Sequence, residues 1–191
     1  IGSACATLCR HWLKHFQKQS NNNPISNILI HNFGSRACSS EDQDVLTGIA
    51  HLLSFNGTDN FIAAYHGKKC GLPTNVGTSL HALAHRTVLS HDTEVDAFNS
   101  IMESSGPQNV ASYVADCYNY NNAVDQITNM AKHFPDHTFI IRADSGNHIK
   151  VNEQIIQACK DKDLFTVQDG ILSPKNVKFI YGDSVNQEKA D

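Results

Sequence analysis

The sequence predicts an α/β fold in which parallel strands alternate with helices, arranged as an incomplete (β/α) barrel in a single domain over residues 1–191. Short runs of β-forming residues alternate with stretches whose apolar side chains recur every three or four positions. Polar residues collect directly after these runs, where enzymes built on parallel sheets place their sites. A complete barrel takes about 250 residues, so a chain of 191 residues is expected to form part of one.

Helical periodicity and helix-start residues predict the helices. Residues 5–18 carry one apolar face, and Ser39 or Ser40 can cap a helix that continues to about residue 54. A further helix is expected after Asp59. The remaining helices are predicted over residues 79–89, 93–102, 122–133 and 149–160.

Strands are predicted from runs rich in β-branched and aromatic residues. They are expected at residues 27–31, 110–115, 138–142 and 177–181, with an extended segment at 74–76. Polar residues follow four of these runs, namely Arg36, Asp116, Arg142 with Asp144, and Gly182 with Asp183. Because parallel strands end at one edge of a sheet, these side chains are expected to lie at one mouth of the fold.

Composition excludes several classes of partner. The net charge is −4 and no Lys/Arg-rich run occurs, which disfavours nucleic acid and anionic membranes. No apolar stretch approaches the roughly 20 residues that span a bilayer, and no signal peptide is expected. The six cysteines are dispersed without a CxxC, so we expect free thiols and a cytoplasmic location.

Two motifs in the first half of the chain combine an aromatic residue, glycine and charge. In HNFGSRACSS (residues 31–40), Phe33 could stack on a flat ring, and Arg36 with the amides of Ser39 and Ser40 could hold a phosphate. An ordinary turn with a surface arginine is the alternative. In FNGTDN (residues 55–60), Asp59 could either recognise a ligand or cap the next helix.

Three further motifs follow along the chain. In VGTSLH (residues 76–81), His81 precedes a second histidine four residues later, a spacing that can bind metal. Two other pairs share that spacing and none lies in an HExxH motif, so chance spacing is favoured and no metal site is predicted. In IRADSGN (residues 141–147), Arg142 could pair with phosphate and Asp144 could face a developing positive charge. YGDS (residues 181–184) is a smaller version of the same pattern, in which Gly182 permits a close approach of backbone to ligand.

Taken together and in order, FGSRACSS, FNGTD, VGTSLH, VADCY, IRADSGN and YGDS resemble the nicotinamide and nicotinate phosphoribosyltransferases, the type II phosphoribosyltransferase fold. The likeness runs from about Ala6 to the end of the chain and is closer to the nicotinamide branch. It implies an enzyme that joins a pyridine base to phosphoribosyl pyrophosphate in NAD biosynthesis, with Mg²⁺ on the pyrophosphate, ATP as an optional energy-coupling substrate, and a homodimer. The family's amino-terminal domain and its glycine-rich phosphate loop are not recognised in this sequence, so the chain by itself is expected to be weakly active or inactive.

The resemblance implies roles for the matching residues. Phe33 would lie against the pyridine ring, and Asp59 would accept a hydrogen bond from the carboxamide. The two expected catalytic residues are His81, which ATP would phosphorylate, and Asp144 beside the reacting ribose. The other substrate-binding residues it implies are Arg36, Ser112, Asp116, Arg142, Gly182 and Asp183. All of these side chains are expected to converge on one pocket.

Several interpretations stay open at this point. Asp59 favours nicotinamide because a carboxylate would repel the carboxylate of nicotinate, yet nicotinate remains the alternative base. A truncated, non-catalytic fragment that binds a nucleotide or a partner is an alternative of another class. An unrelated barrel enzyme such as an aldolase would want a lysine at the end of a strand, whereas Lys178 stands at the start of the last one.

Overall fold

The computed structural model describes residues 2–19, 30–73, 76–168 and 171–182. Their contacts divide the chain into two compact units, Ile1–Ser79 and Leu80–Asp191. Each unit is an α/β structure with parallel strand pairing.

The first unit pairs two short strands beside three helices. Its elements are α1 (Gly2–Gln19), β1 (His31–Asn32), a 3₁₀ turn (Gly34–Ala37), α2 (Glu41–Leu52), β2 (Gly57–Thr58) and α3 (Phe61–Lys69). β1 and β2 run parallel, with His31 opposite Gly57 and Asn32 opposite Thr58. A further parallel bridge joins Gly57 to Thr78.

The second unit is built on a four-stranded parallel sheet in the order β3-β4-β5-β8. Its elements are β3 (His81–Ala82), α4 (His85–Val88), α5 (Glu94–Ser104), β4 (Val110–Val114), α6 (Tyr120–His133), β5 (Thr138–Ala143), α7 (His148–Asp161), β6 (Phe165–Gln168), β7 (Ile171–Pro174) and β8 (Val177–Tyr181). β6 and β7 form a separate antiparallel hairpin. The sheet is open among the described residues, as an incomplete barrel requires.

Side-chain caps fix where five of the helices begin. In each, the side chain before the helix accepts a hydrogen bond from the backbone N–H three residues later, which satisfies one of the free donors of the first turn. The capping residues are Ser40, Asn60, Thr93, Asn119 and Asn147.

The core of the second unit lies along its two central strands. Tyr113 on β4 and Phe139 and Ile141 on β5 are fully buried, as is Phe98 of α5. Burial of such side chains is the main favourable term in folding. The central strands are therefore firmly packed, and the residues that follow them are held at a defined edge.

Most predicted elements are confirmed, including the α/β class with parallel strands, the first helix α1 and the last strand β8. All six cysteines are free. No helix among the described residues is both long and apolar enough to span a bilayer. Residues 27–29 and 74–75, where strands were expected, lie outside the described residues, as does Asp183.

The helix predicted over residues 79–89 is wrong in its first half. Residues His81–Ala82 form strand β3, and helix α4 is confined to His85–Val88. β3 pairs with β4, with His81 opposite Ala111, and this non-local pairing overrides the helical spacing of the apolar residues. The β6–β7 hairpin was not predicted.

Candidate functional site

The first unit gathers polar groups around Asp59, which lies directly after β2. Its backbone N–H donates to the carbonyl of Asn32 at 3.0 Å. Its Oδ1 is 3.0 Å from His31 Nε2 and also accepts the hydroxyl of Ser79. The alternative that Asp59 caps the next helix is excluded, because Asn60 is the cap of α3. Asp59 is therefore available to a ligand.

Phe33 lies beside His31, the residue that contacts the Asp59 carboxylate. Its ring centroid is 4.6 Å from that of His31, with an interplanar angle of 35°. The side chain is 41% exposed, so much of its surface is free to meet a flat ring.

The phosphate site predicted at the start of α2 is only partly present. Arg36 is exposed on the 3₁₀ turn, as a phosphate ligand should be. The amide of Ser39, however, donates to Gln43 Oε1 at 3.0 Å, and Glu41 and Asp42 already supply negative charge to the first turn of the helix. The Ser39 amide is thus engaged with Gln43, while phosphate binding by Arg36 and the Ser40 amide stays a prediction.

The second unit brings two carboxylates and a histidine together at the carboxyl ends of β4 and β5. Asp116 follows β4 and Asp144 follows β5. His85, the first residue of α4, has Nε2 at 3.0 Å from Asp116 Oδ1 and Nδ1 at 3.9 Å from Asp144 Oδ2. Asp116 also accepts the hydroxyl of Ser145. The imidazole is thus held between two acidic groups.

Arg142 supplies positive charge to the same cluster. Its Nε lies 3.1 Å from Asp144 Oδ1, although the N–H is not aligned as a hydrogen bond. One terminal nitrogen donates to the carbonyl of Leu83 at 3.0 Å, which fixes the guanidinium. The side chain is only 12% exposed, so this charge acts with little screening by water.

Gly182 leaves room for Asp144. A Cβ atom at residue 182 would lie 2.3 Å from Asp144 Oδ1, far inside van der Waals contact. Its amide donates to the carbonyl of Ala143 at 2.8 Å, which holds the two segments together. The function of this glycine is therefore local and steric, and a ribose contact is not needed to explain it.

The remaining polar groups near this cluster are protonated or buried. Burial, followed by the charges of Glu94 and Asp116, raises the pKa of the Cys117 thiol to about 11, so the thiol stays protonated and is a poor nucleophile. Burial raises the pKa of Tyr120 as well, and its hydroxyl donates to the carbonyl of Val151. Ser112 is 2% exposed, and its hydroxyl has no hydrogen-bond partner in the part of the chain that the structure describes.

The structure therefore groups the predicted residues into two sets, each within one unit. Phe33 and Asp59 lie near each other in the first, and Asp116, Arg142, Asp144 and Gly182 in the second. His81 is exposed on β3, and no described ion pair joins it to a carboxylate. Convergence of both sets on one pocket stays a prediction.

Sequence reasoning missed the roles of His31, Ser79, His85 and Ser145. All but His85 stand inside motifs already singled out, and His85 was noted only as the second member of a histidine pair. Its partner Asp116 is 31 residues away, so no local spacing could have disclosed the contact.

Comparison with known proteins gives one family. Residues 28–191 match the sequence model of the nicotinate phosphoribosyltransferase (NAPRTase) family. The chain is 27% identical over 186 residues to a nicotinamide phosphoribosyltransferase of Xanthomonas campestris pv. campestris (strain 8004), covering 92% of this chain and 40% of that protein. It is 24% identical over 196 residues to a nicotinamide phosphoribosyltransferase of Acinetobacter baylyi (strain ATCC 33305 / BD413 / ADP1), covering 87% and 39%. The chain thus spans about two fifths of the length of the curated relatives that it matches.

Proposed function

Because the chain belongs to the nicotinate phosphoribosyltransferase family, we propose that it carries part of the site of an enzyme that transfers phosphoribose from phosphoribosyl pyrophosphate to nicotinamide. The products are nicotinamide mononucleotide and pyrophosphate. The observation that carries the proposal is the cluster of His85, Asp116, Arg142 and Asp144 at the ends of β4 and β5.

The transfer needs a fixed negative charge beside the reacting carbon. As the bond from C1 of ribose to pyrophosphate breaks, the leaving oxygen takes the electron pair and positive charge develops on the sugar. The lone pair of the pyridine nitrogen then forms the new bond to C1. Asp144 suits this task because Arg142 holds its carboxylate in place, and preorganised charge is worth most in a site that excludes water.

We propose His85 as the phosphorylatable histidine in place of His81. A carboxylate oxygen can only accept, so Nε2 of His85 carries the proton that is donated to Asp116. In the neutral ring Nδ1 then keeps a lone pair, which is the group that would attack the γ-phosphorus of ATP and displace ADP. His81 has no comparable support among the described residues.

The base is assigned to the first unit. Asp59 is a carboxylate with 37% of its side chain exposed, and Phe33 offers a ring surface nearby. A carboxamide can donate to Asp59, whereas the carboxylate of nicotinate would meet a like charge. Nicotinamide is therefore proposed as the substrate, with nicotinate as the alternative.

Mg²⁺ is proposed to enter with phosphoribosyl pyrophosphate, bound to its pyrophosphate group. When bound, the ion would neutralise charge on the departing pyrophosphate. The protein itself contributes Arg142, Asp116 and Asp144.

The test is product formation with nicotinamide, phosphoribosyl pyrophosphate, Mg²⁺ and ATP, read by chromatography of nicotinamide mononucleotide. It is run on this chain and on any longer protein that contains it, with equilibrium binding of radiolabelled nicotinamide measured in parallel. Turnover by either protein supports the proposal. If both proteins bind nicotinamide without turnover, the hypothesis of a non-catalytic fragment is favoured. If neither binds nicotinamide, the assignment of the base is overturned.

A further inference from the structure

We infer that His31 and Ser79 are positioning residues that make Asp59 selective for the carboxamide, by occupying one carboxylate oxygen and leaving the other free. This inference rests on the proposed function, since it concerns how the same site chooses its base. The contacts that carry it all lie within the first unit.

The parallel pairing of β1 and β2 creates the arrangement. It sets His31 opposite Gly57, and Asp59 comes two residues after that glycine. A Cβ atom at residue 57 would lie 2.6 Å from His31 Nδ1, so only glycine leaves space for the ring. On another side the ring rests against Phe33. His31 is thereby fixed with Nε2 toward the carboxylate.

Two donors meet the same oxygen of Asp59. His31 Nε2 lies 3.0 Å from Oδ1, and the Ser79 hydroxyl donates to Oδ1 as well. Because carboxylate oxygens only accept, both groups must be donors in this state. No hydrogen bond from the described part of the chain reaches Oδ2. The carboxylate therefore cannot rotate freely, and a single acceptor is left for a ligand.

A carboxamide is attracted to the free oxygen Oδ2 of Asp59, whereas a carboxylate is repelled by it. The NH₂ group of nicotinamide can donate to Oδ2 of a carboxylate whose orientation is already set, so little ordering is required on binding. Nicotinate offers no donor there and meets a negative charge. The pair of donors thus sharpens the preference for the amide, although neither residue has to touch the base.

The experiment measures dissociation constants for nicotinamide and for nicotinate, on the chain and on any longer protein that contains it. The variants are His31→Leu, Ser79→Ala and Asp59→Ser, and the double variant His31→Leu with Asp59→Ser. His51→Leu is the matched control, because His51 contacts the carbonyl of Gly57 on the same strand without reaching Asp59. A change of fold alone would alter the affinities of His51→Leu and His31→Leu together.

We expect His31→Leu, which removes the donor, to weaken nicotinamide about tenfold while leaving nicotinate within about twofold, which lowers the ratio of the two affinities. Ser79→Ala should act in the same direction. In the Asp59→Ser background, His31→Leu should no longer change the ratio, since its effect passes through the missing carboxylate.

Two results would overturn this inference while leaving the proposed function intact. One is an equal change of the ratio by His31→Leu with and without Asp59, and the other is an equal change by His51→Leu. If the unmodified protein binds no nicotinamide, the proposed function fails with it, so the two failures are distinguishable.

Discussion

Replacement of Gly182 by alanine tests whether the position of Asp144 matters for binding of phosphoribosyl pyrophosphate. The added Cβ would lie 2.3 Å from Asp144 Oδ1 and 3.2 Å from its Cγ. To regain ordinary contact, the carboxylate must retreat by roughly 1 Å, and displacements of that size cost up to about a hundredfold in a well-aligned site. A shift of that size would disturb the ion pair with Arg142 Nε, which lies 3.1 Å from Asp144 Oδ1.

The size of the effect follows from that ion pair. The contact is an ion pair without an aligned hydrogen bond, and the Asp144 side chain is 30% exposed, so a contribution of about 1 kcal/mol applies. About 1.4 kcal/mol corresponds to tenfold. Because Arg142 is the side chain predicted to meet phosphate oxygens, loss of the carboxylate that holds it should weaken phosphoribosyl pyrophosphate about fivefold in Gly182→Ala.

The assay is isothermal titration of phosphoribosyl pyrophosphate, with the urea midpoint of each variant measured to verify folding. Gly2→Ala is the matched control, because a Cβ at residue 2 would meet no atom closer than 3.6 Å. A folded Gly182→Ala protein with unchanged affinity would refute the reasoning, since the carboxylate would then have moved without consequence.

Three further predictions concern selectivity and stability. Asp59→Ser should shift the ratio of kcat/KM toward nicotinate, and an unchanged ratio would remove the reason for assigning nicotinamide. Burial lowers the pKa of His137, whose Nε2 lies 2.9 Å from the hydroxyl of Tyr113. The unfolded state therefore binds more protons as pH falls below the ordinary value near 6.5, and the free energy of unfolding should decrease there, with a weaker dependence in His137→Gln. Ser40→Ala should lower the free energy of unfolding by about 1 kcal/mol because the amide of Gln43 loses its cap, and a urea titration showing no change would contradict that role.

The sequence predicts the parts of the fold that depend on local signals. Ser40, which caps α2, and the alternation of strands and helices could be read directly, because capping and apolar periodicity act over a few residues. β3 could not, since His81–Ala82 is a strand only through its pairing with β4. The β6–β7 hairpin has a local sequence signal of its own, the Asp169-Gly170 dipeptide between two apolar runs.

The candidate site shows the same division. Asp59, Asp144 and Arg142 could be singled out because each stands in a short polar cluster after a predicted strand or a tight turn. The role of His85 could not be predicted, since its contact with Asp116 depends on where α4 lies relative to the end of β4. Likewise, only the pairing of β1 with β2 brings His31 to Asp59.

The central claim is that His85, held between Asp116 and Asp144, is the histidine that ATP phosphorylates in the transfer of phosphoribose to the pyridine base. The most direct measurement is ATP-dependent formation of nicotinamide mononucleotide by the longest protein that contains this chain, compared for His85→Ala and His81→Ala. We predict a loss of at least about tenfold for His85→Ala and a change within about twofold for the exposed His81→Ala. Undiminished formation in His85→Ala, or a loss confined to His81→Ala, would contradict the claim.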